Sequence, residues 1–174
     1  GYTETPDSPR QRNYGISTSD NLVDMITYVD KIVGQLVEFL KKNGLYENTV
    51  IIFTSDNGTG AASIQTDRGE IVGGKGTMRD AGTHVPLIIH NPSEIEKATV
   101  WKGLIGFDDF YPTLADIAGI DISEQTNVDG HSFYPLVKGE ASSFAGKEVL
   151  FMQQDARRDG SPKTIKKDQA NRNR

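Results

Sequence analysis

The amino-acid sequence predicts an α/β fold, because a long amphipathic helix, two short apolar strands and a second helix follow one another within 174 residues. The first helix is predicted over "STSDNLVDMITYVDKIVGQLVEFLKKNGLY", where apolar side chains recur at the helical period. Ser19 or Asp20 can cap its start, and Gly44 can end it in a left-handed conformation. Gly34 lies in the middle of this helix, where we expect it to allow close packing against a neighbouring element.

Both strands are expected to be buried. The first contains the uninterrupted apolar run Val50–Phe53, which is typical of a strand covered on both faces, and the second lies in "VPLIIHNP". Residues 59–72 between them are polar and without a period, so they are predicted to form a long loop. A weaker strand candidate is "KEVLFMQQ". Because a buried parallel strand needs a neighbour on each edge, so few strands suggest that the chain is part of a larger domain.

The folded part of the sequence is expected to span residues 1–156, including a second helix over "DDFYPTLADIAGI" with Pro112 in its first turn and Gly119 as its stop. Residues 157–174 hold 7 of the 19 basic and 2 of the 24 acidic residues, which leaves 12 against 22, or −10, for residues 1–156. An acidic body argues against a nucleic-acid-binding surface, and the basic tail is expected to be a disordered end rather than a binding arm. No apolar run approaches the roughly 18 residues that span a membrane.

Asp56 and Asn57 form a candidate cation site at the carboxyl end of the first strand. Open α/β sheets bind ligands at this end of their strands, and an adjacent carboxylate and carboxamide offer hard oxygen ligands for Ca²⁺ or Mg²⁺. Two residues cannot fill a coordination sphere, so further ligands would have to come from elsewhere. Asp-Asn-Gly is also a common turn sequence, and both interpretations are compatible with the pattern.

Lys75 lies in "GGKG", between glycines that would let the main chain approach an oxyanion beside the lysine ammonium group. A flexible surface loop with a solvated lysine fits the same four residues. "GEIVGGK" matches the first part of a phosphate-binding P-loop, but Gly76 occupies the place of the required Ser or Thr, and the flanks predict neither the strand nor the helix of that motif. His84 could line the same site as Lys75, whereas His90 is expected to be a buried, hydrogen-bonded histidine.

Four segments, taken in order, resemble the sulfatase family within the alkaline phosphatase superfamily. They lie within residues 20–150 and read "YVDKIVGQLVEFLKKNGLYENTVIIFTSDNG", "GGKGTMRDAGTHVPLII", "GFDDFYPTLADIAGI" and "VDGHSFYPLVKG". The resemblance implies an α/β fold around a large mixed sheet flanked by helices, incomplete in this chain. It implies hydrolysis of sulfate esters at a site holding one divalent cation, usually calcium. At the matching positions, Asp56 and Asn57 would be metal ligands and Lys75 would contact the sulfate.

The nucleophile that the family uses has no counterpart in this sequence. It is a formylglycine made from Cys or Ser in a C/S-x-P-x-R segment that precedes the matched region, and this chain has no cysteine and no such serine segment. We therefore expect residues 1–156 to be a fragment of a sulfatase catalytic domain, with half of an active site and no activity alone. Self-association could cover its exposed sheet edge.

Two other functions are compatible with the sequence. A superfamily relative, such as a phosphodiesterase or phosphonate hydrolase, would use a similar site, although a two-metal phosphatase site needs further Asp and His ligands. A non-catalytic binding or scaffold module is the alternative from another class. A C/S-x-P-x-R segment upstream in the full gene product would favour the enzyme over the scaffold.

Overall fold

The computed structural model describes residues 4–8, 21–60, 63–67, 69–95, 98, 100–140 and 144–150. In chain order its elements are helix α1 (Asn21–Lys42), strands β1 (Ile51–Thr54), β2 (Ser63–Thr66) and β3 (Gly69–Val72), helix α2 (Asp80–Thr83), strand β4 (Leu87–His90), and helices α3 (Phe110–Ala118) and α4 (Tyr134–Val137). Single 3₁₀ turns lie at Tyr46–Asn48 and Phe107–Asp109. Within these ranges, no helix is long and apolar enough to cross a membrane. The predicted caps Ser19 and Asp20 and the predicted tail lie outside the described residues.

Both predicted helices are present, and each is followed by a glycine in the left-handed conformation. Helix α1 runs over 22 residues, and the chain leaves it through Gly44, which has φ 67°. Helix α3 stops at Gly119, also with φ 67°, whose N–H donates to the Asp116 carbonyl oxygen. The expectation for Gly34 is wrong, because a Cβ atom placed there would meet no described atom within 4 Å. This glycine faces open space rather than a packed neighbour.

Strands β1 and β4 form an antiparallel two-stranded sheet, in which Ile51 lies opposite His90 and Thr54 opposite Leu87. The expectation that both strands are buried is wrong. Strand β1 is half-buried along its length, and the side chains of β4 alternate between half-buried and exposed, with Ile88 59% exposed. Two strands cannot cover both of their own faces. The apolar run of β1 therefore lacks the neighbours that its composition predicts.

The predicted loop over residues 59–72 contains a β-hairpin. Strands β2 and β3 pair antiparallel, with Ser63 opposite Val72 and Thr66 opposite Gly69. The Thr66 hydroxyl donates to the Gly69 carbonyl oxygen (2.8 Å), and Gly69 takes up φ 109° at the end of the two-residue turn. Strand β3 is exposed along its whole length. Because apolar and polar residues do not alternate in its sequence, the hairpin could not be predicted. Of the third strand candidate, Lys147 forms a single bridge with Leu104, and the part from residue 151 lies outside the described residues.

The buried core near α3 is organised around the carboxylate of Asp109, which has no solvent exposure. Its Oδ2 accepts a hydrogen bond from the Gly106 N–H (2.8 Å), and its Oδ1 accepts one from the His131 N–H (2.7 Å). The Lys147 ammonium group lies 2.8 Å from the same Oδ1 and also pairs with Asp108. A buried carboxylate is tolerated only when it is paired and hydrogen-bonded, and Asp109 meets both conditions.

Thr113 extends this network along α3. Its hydroxyl donates to the main-chain oxygen of Asp109 (2.6 Å) and accepts a hydrogen bond from the Phe133 N–H (2.9 Å). Phe133 and Val137 are fully buried, and the Val137 carbonyl oxygen accepts a hydrogen bond from Nδ2 of Asn91 (3.0 Å). A series of buried hydrogen bonds thus connects the end of β4 to α4 and α3, because burial leaves these polar groups no water to bind.

Replacing Gly34 by alanine tests the open environment of this residue. We expect Gly34→Ala to raise the free energy of unfolding by about 1 kcal/mol, because alanine favours the helix and its methyl group meets no described atom. Gly44→Ala is the matched control and should lower the free energy by about 1 kcal/mol, since Gly44 has a positive φ. Urea unfolding of the three chains measures both changes. A destabilising Gly34→Ala would show that this helix face is packed.

The ion pairs of Lys147 with Asp108 and Asp109 make the free energy of unfolding depend on pH. The hydrogen bond from Lys147 holds the pKa of Asp108 below its usual value. Burial by itself lowers the pKa of Lys147, but hydrogen bonds to Asp108 and Asp109 outweigh burial and raise it. The Asp108 contribution is present above the unfolded pKa of about 4 and is lost as the pH falls through the folded pKa. The Lys147 contribution is present below about 10.4 and is lost as the pH rises through its folded pKa.

We expect Lys147→Met to lower the free energy of unfolding at pH 7 by about 3 kcal/mol, because Asp109 would stay buried without its cation. The further loss between pH 5 and pH 3 should be smaller than in the unmodified chain, since Asp108 would regain an ordinary pKa. Urea unfolding at these three pH values measures both effects. Lys138→Met is the control: its pair with Glu140 is exposed and 3.3 Å long, so removal should change stability by less than about 1 kcal/mol. Equal losses in the two variants would contradict the role of Lys147.

Candidate active site

The turn after β1 presents Asp56 and Asn57. The Ser55 hydroxyl donates to the Asn57 carbonyl oxygen (2.9 Å), and Asn57 Nδ2 donates to the Gly58 carbonyl oxygen (3.0 Å). These two bonds hold the turn in place. Asp56 is exposed, and its carboxylate has no hydrogen bond or ion pair with any residue that the structure describes. The carboxylate of Asp56 and Oδ1 of Asn57 are therefore available as oxygen ligands.

Glycines let the backbone after β1 approach two later segments very closely. The Gly58 N–H donates to the Gly82 carbonyl oxygen (2.9 Å). A Cβ atom on Gly58 would lie 1.9 Å from the Ala81 carbonyl oxygen, and one on Gly73 would lie 1.9 Å from the Gly60 carbonyl oxygen. Real Cβ atoms do not come so close, so only glycine permits these contacts. We call this region the glycine junction; its glycines are Gly58, Gly60, Gly73, Gly74 and Gly82.

Lys75 lies at the tip of a tight turn beside this junction. The Thr77 N–H and hydroxyl both donate to the Gly74 carbonyl oxygen (2.9 and 2.6 Å), and Gly76 has φ 80°, as the third residue of a type II turn requires. The Lys75 N–H donates to the Thr59 carbonyl oxygen (2.9 Å). The structure thus brings the "GGKG" loop against the "DNG" turn. Within the described residues the exposed Lys75 ammonium group forms no ion pair, so it can meet an anion from outside.

Two of the histidines bear on the expectations from sequence. Nδ1 of His84 lies 3.5 Å from Oδ1 of Asp80 in an exposed pair, two residues beyond Gly82 of the glycine junction. His90 is hydrogen-bonded as expected, with Nε2 2.7 Å from the Tyr46 hydroxyl, but it is exposed rather than buried. The position at the end of an uncovered two-stranded sheet explains the exposure. His90 therefore connects the 3₁₀ turn after α1 to β4 and has no place near Lys75.

The described residues fit a divalent cation only in part. Asp56 and Asn57 supply oxygen ligands of the kind that Ca²⁺ prefers. The described ranges contain no group of three or more His, Cys, Asp and Glu side chains close enough to hold a metal ion. An oxygen-ligated Ca²⁺ needs six to eight ligands, so Asp56 and Asn57 are at most a minority of the set.

The site is an exposed surface rather than a cavity. An open cavity of about 430 Å³ does exist in the described structure, but it lies at the start of α3 and along the chain that follows this helix. Its lining residues are Asp108, Tyr111, Gln125, Asn127, Val128, Asp129 and Gly130. None of the three residues singled out from the sequence contributes to it, so we assign the candidate chemistry to the glycine junction and not to the cavity.

Sequence reasoning missed Gly82, which turns out to be as important to the site as the glycines beside Lys75. A Cβ atom there would lie 2.2 Å from the Gly74 carbonyl oxygen and 2.5 Å from that of Thr77. No signal in the sequence marked Gly82, because its place inside the four-residue helix α2, where helix propensity disfavours glycine, is visible only in the structure. A glycine in such a place indicates close approach of another backbone segment.

Comparison with known proteins identifies the family. The family model "Sulfatase" matches residues 2–120. An uncharacterized sulfatase of Escherichia coli, YdeN, is 38% identical over 143 residues, which are 82% of this chain and 25% of the relative. The solved structure of BT4656 in complex with its substrate D-glucosamine-2-N,6-O-disulfate matches with a TM-score of 0.56 and 30% identity, over 70% of this chain and 23% of that one. The phosphonate monoester hydrolase SpPMH from Silicibacter pomeroyi matches with a TM-score of 0.53 and 29% identity, over 74% of this chain and 25% of that one.

These matches agree in extent as well as in kind. The chain spans about a quarter of the length of each of these three proteins. The matched residues include the turn after β1, the "GGKG" loop and α3. With more than half of its residues matched by the family model, the chain belongs to the sulfatase family of the alkaline phosphatase superfamily.

Proposed function

We propose that this chain supplies part of the active site of a sulfuric ester hydrolase and is inactive by itself. Asp56 and Asn57 bind a divalent cation, and Lys75 binds the sulfate group. The observation that carries the proposal is the hydrogen bond from the Lys75 N–H to the Thr59 carbonyl oxygen, which holds the "GGKG" loop against the turn bearing both ligands. Membership of the sulfatase family supports the reaction class.

Lys75 contributes a positive charge at a fixed place. Its main chain is held by the type II turn and by the hydrogen bond to Thr59, so only the side chain loses conformational freedom when an anion binds. A sulfate group spreads its negative charge over several oxygens, and its transfer depends mainly on positioning and on neutralising that charge. The Lys75 ammonium group hydrogen-bonds one sulfate oxygen and stabilises the charge on the departing oxygen.

Asp56 and Asn57 would bind the cation at the turn after β1. When bound, a divalent cation such as Ca²⁺ supplies a second positive charge next to the sulfate oxygens. The two residues provide two of its oxygen ligands, and the others come from outside this chain. The nucleophile, a formylglycine in this family, also comes from outside, because the 174 residues contain neither a cysteine nor a serine in a C/S-x-P-x-R segment. The chain alone therefore has groups that bind the substrate but none that attacks it.

A phosphonate or phosphate ester hydrolase is the second candidate. The phosphonate monoester hydrolase matches this chain with nearly the same TM-score as BT4656, whose substrate is a glucosamine disulfate. A lysine and an oxygen-ligated cation bind either kind of tetrahedral anion. The ratio of activities on an aryl sulfate and on an aryl phosphonate ester distinguishes the two candidates.

The role of Lys75 can be measured in a chimera in which this chain replaces the matching segment of the E. coli relative. In the chimera, Lys75→Ala should lower kcat/KM for 4-nitrophenyl sulfate by about 100-fold or more, because it removes a charge that acts on the transferred group. Lys75→Arg should recover part of the loss. The isolated chain should show no turnover that depends on Lys75.

Lys42→Ala is the matched control, since Lys42 is an exposed lysine in the last turn of α1. Its kcat/KM should stay within about twofold of that of the unmodified chimera. An equally small effect of Lys75→Ala would refute the proposed sulfate contact, and so would Lys75-dependent turnover by the isolated chain. Higher activity on the phosphonate ester than on the sulfate would favour the second candidate.

Calcium titration tests the proposed cation ligands separately from catalysis. The isolated chain should bind Ca²⁺ with a Kd above about 1 mM by calorimetry, since two ligand residues are too few for a tight site. In the chimera, Asp56→Asn should weaken Ca²⁺ binding, whereas Asp67→Asn, at the exposed turn of the β2–β3 hairpin, should leave it unchanged. Micromolar binding by the isolated chain would contradict the idea of an incomplete ligand set.

A further inference from the structure

The open cavity of about 430 Å³ at the start of α3 has walls that are fixed before any ligand binds. We call this cavity, with the lining residues named above, the α3 groove. Its wall over residues 127–130 lies directly on the 3₁₀ turn before α3, because a Cβ atom on Gly130 would lie 1.9 Å from the Asp108 carbonyl oxygen. The next N–H, that of His131, donates to the buried carboxylate of Asp109 (2.7 Å). Main-chain contacts of this kind give a preorganised site, in which a ligand does not have to order the protein.

Tyr111 gives the α3 groove an apolar surface with a polar end. Its side chain is 51% exposed, and its hydroxyl donates to Oε1 of Gln125 (2.9 Å). This hydrogen bond joins the first turn of α3 to the chain after the helix and holds the aromatic ring in place. Because the hydroxyl already has an acceptor, Tyr111 offers a ligand mainly the face of its ring.

Carboxamide and carboxylate groups lie beside this ring. Nε2 of Gln125 and the side chains of Asn127 and Asp129 form no hydrogen bond or ion pair with any residue that the structure describes, and all three residues are exposed. Together they offer amide donors and carbonyl and carboxylate acceptors. A ligand with several hydroxyl groups can use both, since each hydroxyl donates one hydrogen bond and accepts others.

The charge of the α3 groove disfavours an anionic ligand. The Asp108 carboxylate pairs with the Lys147 ammonium group, whereas Asp129 adds a negative charge without a counterpart among the described residues. The lining residues that the structure describes include no lysine or arginine. A sulfate or phosphate group would therefore be repelled. A metal ion does not fit either, because the described ranges hold no group of three or more His, Cys, Asp and Glu side chains close enough to bind one.

We propose that the α3 groove binds a neutral sugar unit. A pyranose ring has an apolar C–H face, which packs on the Tyr111 ring, and hydroxyl groups around its edge, which hydrogen-bond to Gln125, Asn127 and Asp129. The volume of about 430 Å³ lies within the range of small-molecule sites, roughly 300–1,000 Å³. The inference goes beyond the proposed function, because none of the residues proposed to bind sulfate or the cation lines the groove.

NMR titration of the isotope-labelled chain tests the site. The probes are two neutral disaccharides, cellobiose and N,N′-diacetylchitobiose, and one anionic sugar, N-acetylglucosamine 6-sulfate. At least one neutral disaccharide should shift the backbone amide signals of residues 108–111 and 125–131, with a Kd on the order of 1 mM. The sulfated sugar should leave these signals in place. Saturation transfer from protein to disaccharide measures the same binding in the larger chimera.

Two substitutions with matched controls locate the contacts. Tyr111→Ala should weaken disaccharide binding by about tenfold, because it removes the ring surface, whereas Tyr111→Phe should keep most of the affinity. Leu114→Ala is the control, since Leu114 is an exposed apolar residue of α3 outside the groove. Asp129→Asn should weaken binding by about fivefold through loss of a charged acceptor, and Asp116→Asn, exposed on α3 outside the groove, should have no effect. The dispersion of the amide signals shows whether each variant is folded.

Three results in the isolated chain would overturn the proposal. They are the absence of shifts with both disaccharides, larger shifts with the sulfated sugar than with the neutral ones, and a loss in Tyr111→Ala no greater than in Leu114→Ala. Binding by the isolated chain but not by the chimera would overturn it as well, because the groove would then be covered in the complete domain. Lys75→Ala should leave disaccharide binding unchanged, so failure of this site and failure of the proposed function can be told apart.

Discussion

The candidate site depends on close contact between backbone segments that only glycine allows. At the glycine junction, the main chain after β1 lies against the segments around Lys75 and α2, and a single methyl group at Gly58, Gly73 or Gly82 would collide with a carbonyl oxygen. Because this contact joins main chain to main chain, it fixes the relative position of the Asp56 turn and Lys75 more firmly than contacts between flexible side chains could. The Asp56 carboxylate and the Lys75 ammonium group are exposed and form no ion pair with any described residue, which leaves them available to a ligand.

The second half of the described chain relies on a different kind of interaction. Here the buried carboxylate of Asp109 accepts hydrogen bonds from two main-chain N–H groups and pairs with the Lys147 ammonium group. The Thr113 hydroxyl connects Asp109 to the Phe133 N–H. These interactions join residues that are far apart in the sequence: Asp109 and Lys147 are separated by 38 positions (147 − 109 = 38). Their value is specific geometry rather than large net stabilisation, because bringing charges out of water offsets much of what their pairing contributes.

Apart from these two sets of contacts, the described part of the chain buries few apolar side chains. Within the described ranges, α1, β3 and β4 leave large apolar side chains exposed, and the buried apolar side chains are few: Leu40, Pro112, Ala115, Phe133 and Val137. A sequence that is strongly amphipathic in α1 and continuously apolar in β1 carries the pattern of a larger core than its own residues provide. This mismatch agrees with a chain that spans about a quarter of the length of its relatives.

The linear sequence was enough to predict the helices α1 and α3, the strands β1 and β4, the glycine stops at Gly44 and Gly119, and membership of the sulfatase family. These depend on local periodicity, on left-handed backbone at single residues and on the order of short segments, all of which can be seen in a linear string. It also singled out Asp56, Asn57 and Lys75, whose roles remain proposals.

The way in which these elements contact one another is visible only in the folded chain. The antiparallel pairing of β1 with β4, the polar hairpin β2–β3, the contact of Gly82 with Gly74 and the exposure of His90 and Gly34 could not be predicted from sequence. Pairing partners and burial depend on which distant segments are available to cover a given face, and a strand or glycine carries no local signal of that. For the same reason the apolar run of β1 predicted a strand covered on both faces, whereas the residues of this chain leave the strand half-buried.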